Sequence, residues 1–178
     1  MKIVIVGCGR VGAVLAEAYD GGGHEVTILD LSTRAFDRLS SEFQGTAVRG
    51  DGTDEDTLRR AGAAGADVFL ALTEGDNRNT MAAQVAIEKL GIRQVVAKIN
   101  DPVRAAAYAD LGVATVCRTT MLADAVSDFL GLRSSGMPSV IAPSGRHHGA
   151  PDHDPLVDLK APGGAGSTNA GATAGREG

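Results

Sequence analysis

Gly7, Gly9 and Gly12 form a G-x-G-x-x-G run directly after the stretch Lys2 to Val6, and this spacing can cradle a phosphate. Gly7 permits a tight turn out of a strand, Gly9 lets a pyrophosphate approach the backbone, and Gly12 lets the next helix pack closely on the strand. The unpaired amides of that helix's first turn then face the phosphates, and the helix dipole favours their charge. Asp30 closes a second apolar run, Val26 to Leu29, where a carboxylate can accept from both hydroxyls of a ribose. A 2′-phosphate would meet like-charge repulsion there, so the acid argues for an NAD-type or adenosine ligand over NADP. Arg34, close by, reads as a phosphate partner only in second place while Asp30 is present. Arg10 is a cation at a positive helix end, which argues for an anionic partner, against the plainer reading of an exposed first-turn residue. Cys8, inside the glycine run, is either a thiol that senses redox state or a small residue fitting a tight turn. One thiol without a resolving partner favours the second.

These groups need elements to hold them. The Ile and Val residues of Lys2–Val6 suit a strand buried on both faces, and Val11, Val14, Leu15, Ala18 and Tyr19 share one face of a following helix. After the second strand, Ser32 or Thr33 can cap a short helix carrying Phe36 and Leu39 inward. Thr46 to Val48 is a brief third strand. The run Gly50 to Asp56 follows, with Thr53 as a plausible cap for a helix to about Arg60. Counted from Asp51, the run lacks the glycine and glutamate of a calcium loop, so its acids read as helix-start residues. Ala66 to Leu72 forms a fourth strand, followed by a long helix to about Leu90 with Met81, Val85 and Leu90 on one side. Gln94 to Ile99 is the fifth strand. Asp101-Pro102 starts a helix that reaches about Leu111, and Val113 to Val116 is a short sixth strand. Thr119 or Thr120 then caps a helix, Met121 to Leu130, whose stripe of Met121, Leu122, Ala125, Val126, Phe129 and Leu130 either closes the sheet's own core or meets a partner.

Strands and helices thus alternate six times, which predicts a Rossmann-like α/β fold: a doubly wound, six-stranded parallel sheet with helices on both faces. Such sheets bind ligands at the carboxyl ends of their strands, so the glycine loop, Asp30, Asp51, Gly52, Thr73 and Lys98 are the candidate site. For Thr73 the plainer reading is a helix-entry cap, and for Lys98 a snorkelling surface residue. Asn77 and Asn79 read as groups that satisfy a helix N-terminus.

The chain has 178 residues and 43% apolar content, but only 3% aromatic content, so its core must be built from Val, Ile, Leu and Ala. A net charge of −5 offers no basic footprint for nucleic acid. No apolar run approaches the roughly 20 residues that span a bilayer. The start has no signal-peptide layout, and two cysteines, Cys8 and Cys117, fit a reducing cytosol better than a disulfide framework. Residues 1–131 are expected to form the nucleotide-binding domain. Residues 132–178, rich in Gly, Ala, Ser and Pro, are expected to be a disordered low-complexity tail. His147, His148 and His153 fall in it and read as solvated side chains, so no metal site is expected.

The blocks MKIVIVGCGRVGAVLAEAY, ILD, VRGDGTDEDTLRRAG, ADVFLALTEGDNRNTMAAQVA and VVAKINDP, in this order, resemble the nucleotide-binding N-terminal domain of potassium-conductance regulators, the Trk- and Ktr-type uptake regulatory subunits. The resemblance covers residues 1 to about 131. It implies binding of NAD(H) or of ADP/ATP, with Gly7, Gly9, Arg10, Val11 and Gly12 at the phosphates and Asp30 at the ribose. Asp51 and Gly52 would border the adenine, and Thr73 and Lys98 would lie near the ligand's second half or terminal phosphate. With Cys8 inside the loop, the candidate set is Gly7, Cys8, Gly9, Arg10, Val11, Gly12, Asp30, Asp51, Gly52, Thr73 and Lys98. It also implies a non-enzymatic regulatory subunit in the cytoplasm, peripheral to the inner face of the plasma membrane. The partners would be a membrane potassium channel or transporter subunit and related regulatory subunits, in a homo- or hetero-oligomer through Met121–Leu130. Two departures stand out. Lys98 replaces an arginine common in the family, which exchanges a planar fork for a point charge. The family's C-terminal ligand-binding domain has no counterpart, so the chain is expected to be half of a two-protein regulator or a truncated one. The competing expectations are an NAD-dependent oxidoreductase, for which Lys98 and Tyr108 are the only acid/base groups near strand ends and His24 lies at the wrong end, and a nucleotide-sensing module for another partner.

Overall fold

The structure, a computed structural model, describes residues 1–143. Seven strands, β1 (Lys2–Val6), β2 (Glu25–Asp30), β3 (Thr46–Arg49), β4 (Val68–Ala71), β5 (Gln94–Ile99), β6 (Ala114–Cys117) and β7 (Val140–Ile141), form one sheet in the order β3-β2-β1-β4-β5-β6-β7. The pairs from β3 through β6 are parallel. The chain winds outward from β1 to β3, then returns to the other side of β1 with β4. That reversal opens a crevice at the carboxyl end of β1, where sheets of this kind take ligands.

Alternation along β1 shows why its apolar run is unbroken. Ile3 and Ile5 belong to the core on one face, with Val26, Ile28, Leu70 and Leu72, while Val4 and Val6 belong to the core on the other, with Leu58, Phe69 and Ile99. The helices α1 (Arg10–Gly21), α2 (Glu55–Arg60), α3 (Asp76–Glu88), α4 (Pro102–Ala109) and α5 (Arg118–Phe129) complete the fold, with a 3-10 turn at Thr33–Arg38.

The helices meet the sheet through small residues: Gly12, Ala13 and Ala16 on α1, Ala82, Ala83 and Ala86 on α3, and Ala105 and Ala109 on α4. The two apolar faces read from the sequence therefore hold only in part: Leu15 and Tyr19 of α1, Val85 of α3 and Leu90 just beyond it pack against the core. Val11 and Val14 of α1 and Met81 of α3 are exposed, because a close helix–sheet approach leaves room for alanines and turns the larger side chains to the flanks. The cap of α2 is Asp54 and not Thr53. Its carboxylate accepts from Thr57 N, while Thr53 donates its N–H and hydroxyl to Asp51 Oδ1 at 3.0 and 2.8 Å.

The sheet has a seventh strand that a six-stranded parallel reading does not contain. Past α5 the chain turns back, with Gly131 and Gly136 at positive φ. It then lays β7 antiparallel on β6, Val116 opposite Val140. Cys117 N donates to Ser139 O at 2.8 Å, and Ser135 N donates to Asp124 Oδ1 at 2.8 Å. Residues 132–143 therefore do not belong to a structureless tail. Two apolar β-branched residues among Gly, Ser and Pro are too short a signal for periodicity, and only the free edge of β6 gives them a partner. The remainder of the expected tail, with His147, His148 and His153, lies outside the described residues.

The helix α5 begins at Arg118, and neither Thr119 nor Thr120 caps it. Thr119 Oγ1 donates to Asn100 O at 2.6 Å and Thr120 Oγ1 to Cys117 O at 3.1 Å. Its only buried residue is Thr120. Met121, Leu122, Val126, Phe129 and Leu130 are exposed, Phe129 at 89%. Among the described residues the stripe does not close the core of the sheet.

A Cβ placed on Gly12 would lie 1.9 Å from Gly7 O, whereas one on Gly9 would meet only Glu74 Oε1, at 3.9 Å. Gly12→Ala is expected to lower stability by about 2–3 kcal/mol through overpacking, and Gly9→Ala, at a helix start, by about 1 kcal/mol or less. Urea denaturation of both variants measures the difference.

Candidate nucleotide-binding site

At the carboxyl ends of β1 to β4 lies a cavity of about 430 Å³. Its floor is the turn from β1 into α1. Gly7, at φ +106, donates its N–H to Leu29 O at 2.7 Å, and a Cβ there would sit 2.8 Å from Thr73 N. Three chain segments thus converge on a point where only glycine fits. Gly9 leaves its side of the turn open and Gly12 lies buried beneath it.

Asp30 holds this turn to the end of β2. Its Oδ2 accepts from Cys8 N and its Oδ1 from Ser32 N, both at 2.9 Å. Each carboxylate oxygen keeps a further acceptor direction. The Cys8 thiol is fully buried and points to Ala35 O at 3.3 Å. Burial pushes its pKa up, Asp30 and Glu17 push the same way, and Arg38 opposes them. A thiol kept protonated in this way is a poor nucleophile, so the geometry favours the tight-turn reading over the redox one. Gly52 packs on β1, since a Cβ would fall 2.2 Å from Val6 Cγ1.

The β4 side is organised by Asn79, which is fully buried. Its Oδ1 accepts from Thr73 N and Oγ1 at 2.8 and 2.6 Å, and its Nδ2 donates to Thr73 O at 3.0 Å and Lys98 O at 2.7 Å. Asn79 therefore locks the end of β4 to β5 and does not cap α3. Asn77 does not cap it either, because its Oδ1 accepts from Arg104 and Tyr108, tying α3 to α4.

The cavity wall brings together Gly7, Cys8, Gly9, Asp30, Asp51, Gly52 and Thr73. Arg10, Val11, Gly12 and Lys98 are not part of it. Arg10 is exposed on the first turn of α1 and makes no hydrogen bond or ion pair among the described residues. Lys98 is no snorkelling surface residue: it is 6% exposed, and its Nζ lies 4.0 Å from Glu74 Oε1 on the cavity wall. Burial lowers its pKa and Arg118 adds to this, while Glu74 and Asp76 oppose. The wall also contains Arg38, Glu74 and Arg78, which the sequence reading did not single out. The argument used for Arg10, a cation in a helix's first turn, applies equally to Arg78 and was the signal available. Arg38 offered none beyond its spacing from Arg34. His24, beside Met1 at the opposite end of the sheet, and Tyr108, bonded to Asn77, lie outside the wall.

A glycine turn locked under a helix, an acid fastened to it from the next strand, and a cavity where the winding reverses define a Rossmann-type α/β domain. Over residues 3–119 the chain matches the TrkA-N domain, and it belongs to that family. It is 48% identical over 124 residues to the Trk system potassium uptake protein TrkA of Streptomyces coelicolor, an alignment covering 70% of this chain and 56% of that one. The chain thus spans little more than half the length of that relative, which is named as an uptake protein and not as an enzyme. Two solved structures share the fold. The TrkA-N domain of the inner membrane protein ybaL from Escherichia coli superposes with a TM-score of 0.65 at 20% identity, over 72% of this chain and 96% of that one. The Kef C-terminal domain of Shewanella denitrificans, in its AMP-bound form, does so with a TM-score of 0.59 at 24% identity, over 72% and 81%. Among the described residues no helix is long and apolar enough to cross a membrane.

The pKa of Lys98 gives a pH test. Below its lowered folded-state value, the folded and unfolded chains both carry the charge and folding bears the burial cost. Above it the folded lysine sheds its proton, so stability rises with pH until the unfolded lysine also titrates near its ordinary 10.5. Lys98→Met is expected to raise the melting temperature at neutral pH, by an amount that shrinks as the pH approaches that value. Melting curves across the alkaline range measure it.

Proposed function

We propose that this chain is a nucleotide-binding regulatory subunit of a Trk/Ktr-type potassium uptake system and has no catalytic role. The ligand is NAD(H) or ADP/ATP, held in the cavity at the end of β1. The observation that carries this reading is the arrangement of Gly7, Gly9 and Asp30: a backbone turn with open space over Gly9 beside a carboxylate already fastened to that turn. Phosphates lie over Gly9 and the first turn of α1, on which Arg10 is exposed and unpaired among the described residues. The ribose hydroxyls donate to Asp30, Asp51 and Gly52 border the adenine, and Thr73 and Glu74 line the second half of the ligand. Lys98 acts there through Glu74.

The relative's name and the AMP on the Kef domain support this reading. Residues 1–143, β7 included, are the regulatory unit, which works in the cytoplasm against the inner face of the membrane. The exposed stripe of α5, Met121 to Leu130, joins it to a second regulatory subunit. Nucleotide favours one arrangement of the pair, and the difference passes to a membrane potassium channel or transporter subunit. A coupling of about 1–3 kcal/mol is enough for such a signal, provided the two arrangements differ in affinity for the ligand. The oxidoreductase alternative loses ground because, of its two acid/base groups, Tyr108 is bonded to Asn77 away from the cavity and Lys98 stands behind Glu74, off the cavity wall.

NAD, NADH, ADP and ATP should be titrated against the chain by thermal shift. At least one is expected to raise the melting temperature through mass action. Asp30→Asn, which removes the charge but leaves an acceptor for the loop, is expected to weaken binding by about tenfold. Absence of any shift at millimolar ligand overturns the reading. Cells lacking the chain are expected to take up potassium more slowly when it is scarce. Leu122→Glu with Phe129→Glu, both at exposed positions, is expected to abolish self-association measured by sedimentation while the fold is retained.

A further inference from the structure

We propose that residues 131–143 form a strap that sets the direction of α5, and that Asp124 is the positioning residue through which the strap holds the apolar stripe ready for a second copy of this chain. The inference rests on the reading of that stripe as a subunit interface and names what controls it.

The helix leaves the sheet without a linker, since Cys117 ends β6 and Arg118 begins α5. Its first turn is fixed there by the Thr119 and Thr120 hydroxyls. Beyond Thr120 no residue of α5 is buried, and an isolated helix of this length is marginal in water. The rest of the helix therefore needs ties from elsewhere. Asp124 and Ser127 are the only partly buried residues between Met121 and Leu130, and with Thr120 they share one helix face at the four- and seven-residue spacing. That face is polar, and it is turned inward while the apolar face looks out. A helix free to roll would turn its apolar stripe toward cover, so the outward orientation depends on what holds the polar face. The strap does this. Gly131, at φ +67, donates its N–H to Asp128 O at 3.1 Å, and Leu132 N donates to Ser127 O at 2.9 Å, which together close the helix end. Ser135 N donates to Asp124 Oδ1 at 2.8 Å, a bond strengthened by the carboxylate's charge. Past Thr120, Asp124 is the only side chain of α5 with a hydrogen bond among the described residues. Farther along, Ser139 O accepts from Cys117 N, and Ile141 packs against the core of the sheet. The strap is thus fastened to the sheet at one end and to the helix at the other.

Hydrogen exchange read by mass spectrometry on the full chain tests the tie, and sedimentation tests its effect on self-association. Asp124→Ala removes the acceptor. It is expected to speed exchange of the amides of residues 122–130 by about tenfold, as for the loss of a hydrogen bond to a charged group. Self-association is expected to weaken by about tenfold as well, while the protection of β1 to β5 stays as it is. Asp124→Asn keeps an acceptor at the same place and is expected to bring both readouts to within about threefold of the unmodified chain. Ile141→Thr, which loosens the sheet end of the strap and leaves Asp124 in place, is expected to shift both readouts in the same direction as Asp124→Ala. Unchanged exchange in Asp124→Ala, or faster exchange with self-association unchanged, overturns the inference. A chain that stays monomeric at every concentration removes the interface reading on which the inference rests, and the exchange readout still decides whether the strap holds α5.

Discussion

The contact between Gly12 and the carbonyl of Gly7 governs this structure. A hydrogen atom fits there and a methyl group does not, so α1 sits against the strand that precedes it. That approach turns the first turn of the helix toward the carboxyl end of β1 and leaves the space over Gly9 open. The bonds from Cys8 N to the Asp30 carboxylate and from Gly7 N to Leu29 O then tie this segment to β2. The same side chain that can face a ribose is thus a structural brace. One carboxylate serves both ends, since the backbone donors it accepts fix the turn that lies beside it.

On the other side of the cavity the corresponding brace is neutral. Asn79 uses both ends of its amide to join Thr73 to the carbonyl of Lys98, so β4, β5 and the start of α3 behave as one piece. A fully satisfied buried amide specifies a single arrangement, because every alternative leaves a donor or acceptor unpaired. Lys98 lies next to this clamp, buried, with an exposed glutamate as its partner. Its charge reaches the cavity through the flexible end of Glu74 rather than by direct contact.

The far edge of the molecule shows the opposite economy. The helix α5 spends little of its surface on its own sheet, and its large apolar side chains face outward. The returning segment covers the backbone edge of β6 with β7 but leaves that stripe uncovered. Among the described residues the backbone edge of β6 is paired, while the apolar stripe of α5 is not covered.

Much of this was legible in the chain itself. The glycine spacing, the acid after the second strand and the alternation of strand and helix determined a doubly wound sheet and the end of it that carries the cavity, because local turn chemistry and periodicity decide those features. Tertiary structure alone decided which helix faces go inward, since alanine and glycine win over valine and methionine only when the helix–sheet distance is known. It also decided that Lys98 is buried, that Asn79 clamps two strands instead of capping a helix, that Arg34 and Arg38 share a wall with Asp30, and that Val140 and Ile141 make a strand. Each of these depends on a partner far away in sequence, and neither spacing nor propensity encodes the position of such a partner.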